Sequence, residues 1–263
     1  PISYSYSATL WMRNHQQHPP NNNGQCLGLA PSVQFSAHQD SLPWTQKELE
    51  AIQQSFSGQY FYGEKDSKQL FKEQAEAYNI IHLATHGIVN MQNPMRSMLS
   101  FGSNGRSQEQ DQEALYAYEI HNLSLNANLV VLSACETGFG KTVRGEGVLS
   151  LARAFLFAGA PSVVTTLWEV NDFTSAALIE LFYTNLAQGM SKPEALQRAK
   201  LTFLSKTDEI SGHPTYWASF ITIGSVSPLE HPAYYNNGWV AILFGLVILA
   251  LSITAYRLRR PKP

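Results

Sequence analysis

"VVLSACETGFG", residues 130–140, decides how this chain is read. Branched apolar residues bounded by turn formers have the signature of a buried strand. The strand runs into Cys135, and Gly138 and Gly140 then free the backbone to turn away and leave the thiol open. Three other runs share this character: "NIIHLA" at 79–84, "PSVVTTLW" at 161–168 and "ASFITIG" at 218–224. "SMLSFG" at 97–102 reads as a further strand. Helical segments fall between them, at 146–158 (apolar nearly all round, hence buried), 173–188 and 192–205. Strands alternating with helices imply an α/β fold, a mostly parallel sheet with helices on both faces. Ligands of such sheets bind beyond the carboxyl ends of the strands. His86 lies just past one such end and Cys135 past another.

The remaining segments read as follows. "ISYSYSATL" alternates and suggests a strand. Thr45 with Glu48 forms a capping box before "LEAIQQSF". Asp66 and Ser67 cap a helix with Leu70, Phe71 and Ala75 on one face, and Ser191 with Glu194 boxes the last helix. "NHQQHPPNNNGQ" and "GSNGRSQEQDQE" are polar surface loops, and Cys26 sits in a loop.

The 263 residues carry a net charge of −2, with 44% apolar residues. That permits a real core and gives no basic stripe, so no nucleic-acid partner is expected. Two distant cysteines make neither a disulfide framework nor a cysteine-rich zinc site. His82 and His86 would suggest zinc only on a helix. On a strand, and with no third ligand, His82 reads as structural, and no metal or other cofactor is expected.

A thiolate at Cys135 could attack a carbonyl, with His86 taking the thiol proton and later protonating the leaving amine. The N–H groups of Gly87 and Cys135 would form the oxyanion hole. The bland alternative is an inert core cysteine and a hydrogen-bonded structural histidine.

Residues 238–256, "GWVAILFGLVILALSITAY", are uncharged and approach the ~30 Å needed to cross a bilayer core. Trp239 and Tyr256 flank them and "RLRRPKP" follows. The expectation is a single transmembrane helix, the alternative a buried core helix. The basic tail, residues 257–263, favours a cytoplasmic C-terminus and an outward or periplasmic domain. A cytosolic domain on a tail anchor is the other topology. Because the chain begins at Pro1, a further upstream segment is expected.

The pieces "ISYSYSATL", "LPWTQKELE", "IIHLATHG", "LYAYEIHNLSLNANLVVLSACETGFG", "GEGVLSLARAFLFAGAPSVVTTLWEVND" and "HPTYWASFITIG" occur in an order that resembles the CHAT domains. These are caspase-like cysteine peptidases of clan CD, often found with tetratricopeptide repeats. The resemblance covers about residues 1 to 225. It implies a caspase/hemoglobinase-like sheet, a Cys135–His86 dyad, a protein or peptide substrate, upstream repeats in the same chain and a bacterial origin. The expected organisation is a peptidase domain at 1–226, a juxtamembrane linker at 227–237, the span at 238–256 and the tail. "LWEVND" is also similar to the "LWDVTD" of separases, which implies that Asp172, with Glu169, lines a pocket for Arg or Lys before the cleaved bond. The competing reading of Asp172 is a helix cap. Glu136 either touches substrate or is a solvated loop acid, and Glu146 suits the dipole of the helix it opens. Two functions follow: a membrane-anchored cysteine endopeptidase, or a catalytically silent interaction and signalling module. A thiol redox sensor built on Cys135 would need a resolving cysteine, and only Cys26 is available.

Overall fold

A computed structural model describes residues 1–16, 24–31, 43–63, 67–101, 113–133, 135–136, 146–168, 170–208 and 210–229. In chain order the elements are β1 (Ser3–Tyr4), α1 (Ala8–Gln16), β2 (Cys26–Ala30), α2 (Pro43–Ser55), β3 (Gly58–Tyr62), α3 (Ser67–Gln74), β4 (Ile80–Leu83), β5 (His86–Ile88), β6 (Met98–Ser100), β7 (Ala114–Tyr116) and α4 (Ala117–His121). Then come β8 (Leu129–Leu132), β9 (Cys135–Glu136), α5 (Glu146–Phe157), β10 (Ser162–Thr166), α6 (Asp172–Ala187), α7 (Lys192–Lys206) and β11 (Phe220–Gly224).

Seven strands form the main sheet in the order β1-β11-β10-β8-β4-β2-β3, and four form a smaller one in the order β7-β6-β5-β9. Every pair of the main sheet is parallel except β10–β11. The side-chain period of two sorts the central strands onto two cores. Ile81, Leu83, Val130 and Leu132 pack with Leu10, Phe71, Ile120 and Phe155 of α1, α3, α4 and α5. Ile80, Leu129, Val131 and Val164 pack with Ile52, Leu178, Phe182 and Ala199 of α2, α6 and α7, and with Phe56 just past α2. The mostly parallel sheet covered on both faces is thus the observed architecture.

Several local expectations are corrected. "ISYSYSATL" is a strand only at Ser3–Tyr4, because Ser7 starts α1: its hydroxyl accepts from the Leu10 N–H at 3.1 Å and its carbonyl from Trp11. Cys26 is not in a loop but opens the fully buried strand β2. Glu48 does not close a capping box; it lies inside α2 and is buried. Ser191 does precede α7, with its hydroxyl 3.4 Å from the Glu194 carboxylate, although it makes no side-chain hydrogen bond to the helix backbone. Asp66 and most of the two polar loops lie outside the described residues.

The compact unit runs from Pro1 to His231, and Leu229 is buried against the α6–α7 side. Among the described residues no helix is long and apolar enough to cross a membrane. The expected span at 238–256 lies outside them.

Candidate active site

The backbone register of the two central strands builds the site. Parallel β4 and β8 pair Ile80 with Leu129 and Leu83 with Leu132. Beyond their ends the chain continues in the same offset: the Ser133 N–H donates to the Leu83 carbonyl at 3.0 Å, and β5 and β9 pair His86 with Cys135 and Gly87 with Glu136. No residue is inserted or lost between the two ladders. Neighbouring strands lie about 4.8 Å apart, so the backbone of Cys135 runs directly beside His86. This junction lies beyond the carboxyl ends of the strands, the place where ligands of such sheets bind.

β5 is held from its other side as well. It pairs antiparallel with β6, His86 opposite Ser100 and Gly87 opposite Leu99. The Thr85 hydroxyl, buried, donates to the Ser100 carbonyl. His86 is half-buried, while its neighbours Thr85 and Gly87 are covered. Of the small sheet that fixes His86, only β6 was legible in the sequence, as "SMLSFG"; β5, β7 and β9 were not, because strands of two or three residues carry no periodicity.

Asp172 is the first residue of α6, half-buried, just past the carboxyl end of β10. The cap of this helix is Asn171, whose side-chain oxygen accepts from the Phe173 N–H at 3.0 Å. Asp172 is therefore relieved of the capping role and sits one position inside, where a carboxylate favours the dipole. One turn later, Ser175 meets Ser133 with their hydroxyl oxygens 3.2 Å apart, both buried. Residues three apart share a helix face, so this contact ties the face bearing Asp172 to the strand that leads into Cys135. Sequence reasoning missed this link, which joins residues of ordinary type 42 positions apart. Glu169, Gly138 and Gly140 lie outside the described residues, and so do the side chains of Cys135, Glu136 and Glu146.

His82 belongs to a different constellation. It is fully buried on the α2–α6 side, with Nε2 3.1 Å from a Glu48 carboxylate oxygen and Nδ1 3.1 Å from the Tyr183 hydroxyl. Burial, reinforced by Cys26, Tyr60 and Glu48 nearby, raises the Tyr183 hydroxyl well above its ordinary range. Among the described residues no three His, Cys, Asp or Glu side chains gather as a metal site. Cys26 lies on the rung of Ile80, at the amino-terminal ends of the strands. Burial pushes its thiol up to about 12, outweighing the lowering effect of a Tyr60 hydrogen bond. Cys135 lies beyond the opposite ends. A disulfide needs Cα atoms within about 7 Å, so Cys26 does not serve as a resolving partner in this arrangement.

Residues 1–225 match the CHAT domain family. Over 119 residues, 45% of this chain, the sequence is 37% identical to human Tetratricopeptide repeat protein 28. The mouse protein of the same name is 35% identical over the same length. The chain spans about 5% of the length of these curated relatives. Among solved structures, the Arg-specific cysteine proteinase gingipain R superposes with a TM-score of 0.46 at 12% identity, covering 79% of this chain and 47% of that one. Separase in a Saccharomyces cerevisiae separase–securin complex gives 0.46 at 15% identity, covering 82% of this chain and 13% of its own.

Proposed function

The chain belongs to the CHAT domain family, and from that premise we propose that it is a cysteine endopeptidase working through Cys135 and His86. The observation that carries this reading is the unbroken register from β4–β8 into β5–β9, with His86 opposite Cys135. In the proposed reaction the imidazole accepts the thiol proton and the thiolate attacks the scissile carbonyl. The N–H groups of Gly87 and Cys135 hold the resulting oxyanion. His86 returns the proton to the leaving amine, and water then hydrolyses the thioester. No cofactor takes part.

The proposed substrate is a polypeptide with Arg or Lys before the cleaved bond. Its cation meets Asp172, with Glu169 and Glu136 as further acids around the pocket. The Ser133–Ser175 contact supports this, because it brings the first turn of α6 to the Cys135 strand. An arginyl chloromethylketone is expected to alkylate one thiol per chain, at Cys135, and a leucyl analogue to react several-fold more slowly. Cys26 stays unlabelled because its thiol is buried and protonated at neutral pH. Asp172→Asn should shrink the difference between the two reagents. Equal rates with Arg and Leu would remove the pocket. Absence of labelling in the folded protein would favour a catalytically silent interaction module.

Two further parts of the proposal concern context. That the curated relatives are tetratricopeptide repeat proteins by name supports such repeats upstream in the same chain, acting on the domain as a regulatory region. Residues 238–256 are proposed as a single membrane span with a cytoplasmic tail and an outward or periplasmic domain, on the sequence grounds of length, aromatic flanks and trailing arginines. Fused after Pro263, a fluorescent protein that matures only in the cytoplasm should glow, and alkaline phosphatase should be inactive. The reverse pattern would assign the tail-anchored topology with a cytosolic domain.

A further inference from the structure

The small sheet has two unlike faces. Gly87, Leu99 and Leu115 point to the buried core. His86, Ile88, Met98 and Tyr116 alternate with them, are half-buried and belong to the opposite face. Register aligns Ile88, Met98 and Tyr116 in one row across β5, β6 and β7. That row lines a cavity of about 600 Å³, with Tyr118 and Arg96 at its margin. The Tyr116 and Tyr118 rings stack at 5.3 Å with 13° between planes, and Tyr118 is exposed. Arg96 is also exposed, and no ion pair holds its guanidinium among the described residues. The nearby acid Glu119 is already taken by Lys68 and Lys72, at 3.1 and 3.0 Å.

The turn that carries Arg96 is braced. The Asn90 N–H donates to the buried Ser97 hydroxyl at 3.1 Å, and the Asn93 N–H to the Asn90 side chain at 2.8 Å. The Arg96 N–H donates to the Asn93 carbonyl at 2.8 Å. The backbone under the guanidinium is thus fixed before anything binds, which lowers the entropy lost on recognition.

We propose that this row is a substrate subsite for an aromatic side chain followed by an acidic one, near the cleaved bond of the polypeptide. The inference rests on the endopeptidase reading and deepens it. His86 and Ile88 are two residues apart on the same face of β5, about 6.6 Å. A peptide held extended at the dyad therefore places its second or third residue from the cleaved bond over the row. The aromatic ring packs on Met98 and the Tyr116–Tyr118 stack, and the carboxylate pairs with Arg96 through two parallel hydrogen bonds. The volume suits two or three residues, not a single side chain, and among the described residues that line it the charged one is Arg96.

The test uses the full chain with Cys135→Ala, so that binding is read without turnover. Fluorescent peptides with Arg before the scissile bond carry Tyr-Asp at the second and third positions on one flank or the other, with Tyr-Asn and Ala-Asp controls. In one flank set, Tyr-Asp should bind roughly twofold to fivefold tighter than Tyr-Asn, the scale of one solvent-exposed ion pair. Arg96→Gln should erase that difference, and Tyr118→Ala should erase the preference over Ala-Asp. Both residues are exposed, so both variants should keep the fold. If neither flank set distinguishes Asp from Asn, or Arg96→Gln leaves the discrimination unchanged, the subsite is wrong. The unsubstituted chain, tested for cleavage of the same peptides, separates the two claims. Cleavage without dependence on Arg96 ends the subsite and keeps the peptidase, whereas Arg96-dependent binding without cleavage keeps the groove and ends the peptidase.

Discussion

Cys135→Ala is expected to abolish peptide hydrolysis, and His86→Ala to lower kcat by about a thousandfold or more. The two losses should not add. Thiol and imidazole act in one step, so removing either leaves only what substrate binding and the oxyanion donors contribute. KM should change far less, because neither group is proposed to bind the substrate's side chains. The fold should survive both changes. His86 is half-buried and lies in a sheet held by backbone pairing, and Cys135→Ala removes a single sulfur atom. Far-UV circular dichroism and Tm close to those of the unsubstituted chain would establish this. Hydrolysis by Cys135→Ala at the original rate would end the dyad assignment, whatever the register of the strands.

The parts of this fold that the sequence revealed are those whose side chains repeat. β4, β8 and β10 are buried on both faces and stand out as continuous apolar runs. The helices α5, α6 and α7 are long enough for their bounds to fall within a residue or so of expectation. The closeness of His86 and Cys135 was legible because strand ends in a parallel sheet share an edge, and both residues follow such ends. β2 was lost because "CLGLA" is short, has Gly28 in its middle and follows a polar stretch. β3, "GQYFY", shows little alternation and is exposed at its start. Its first residue, Gly58, has φ of 153° and packs so close to the Cys26 carbonyl that no Cβ would fit there. That requirement exists only once the two strands have met. Asp172 was weighed as the helix cap, and the backbone geometry gives that role to its neighbour Asn171 instead.

The Glu48–His82–Tyr183 cluster is the clearest case of structure overruling local sequence. Three residues after Thr45, Glu48 looks like the closing member of a capping box. It instead spends its carboxylate on His82 in β4. A single substitution, Glu48→Leu or His82→Leu, is expected to destabilise the protein by about 1–3 kcal/mol, the cost of leaving a buried polar group without its partner. Tyr183→Phe should cost about 1–3 kcal/mol, because it leaves the His82 ring nitrogen facing a carbon. Replacing both members with apolar residues, Glu48→Leu with His82→Leu, should cost much less than the two single losses together, since no polar atom of the pair is then stranded. Urea titrations of the four variants and the unsubstituted chain measure these differences directly. Single losses below about 1 kcal/mol, or strictly additive ones, would mean the pair contributes little as a pair. The cluster fastens α2 and α6 to the sheet, and α6 also carries Asp172 and Ser175 at its start. The singly substituted chains should therefore lose discrimination between Arg and Leu reagents before they lose reaction at Cys135. That order of loss would distinguish a loosened specificity helix from damage to the dyad, which is held separately by the small sheet.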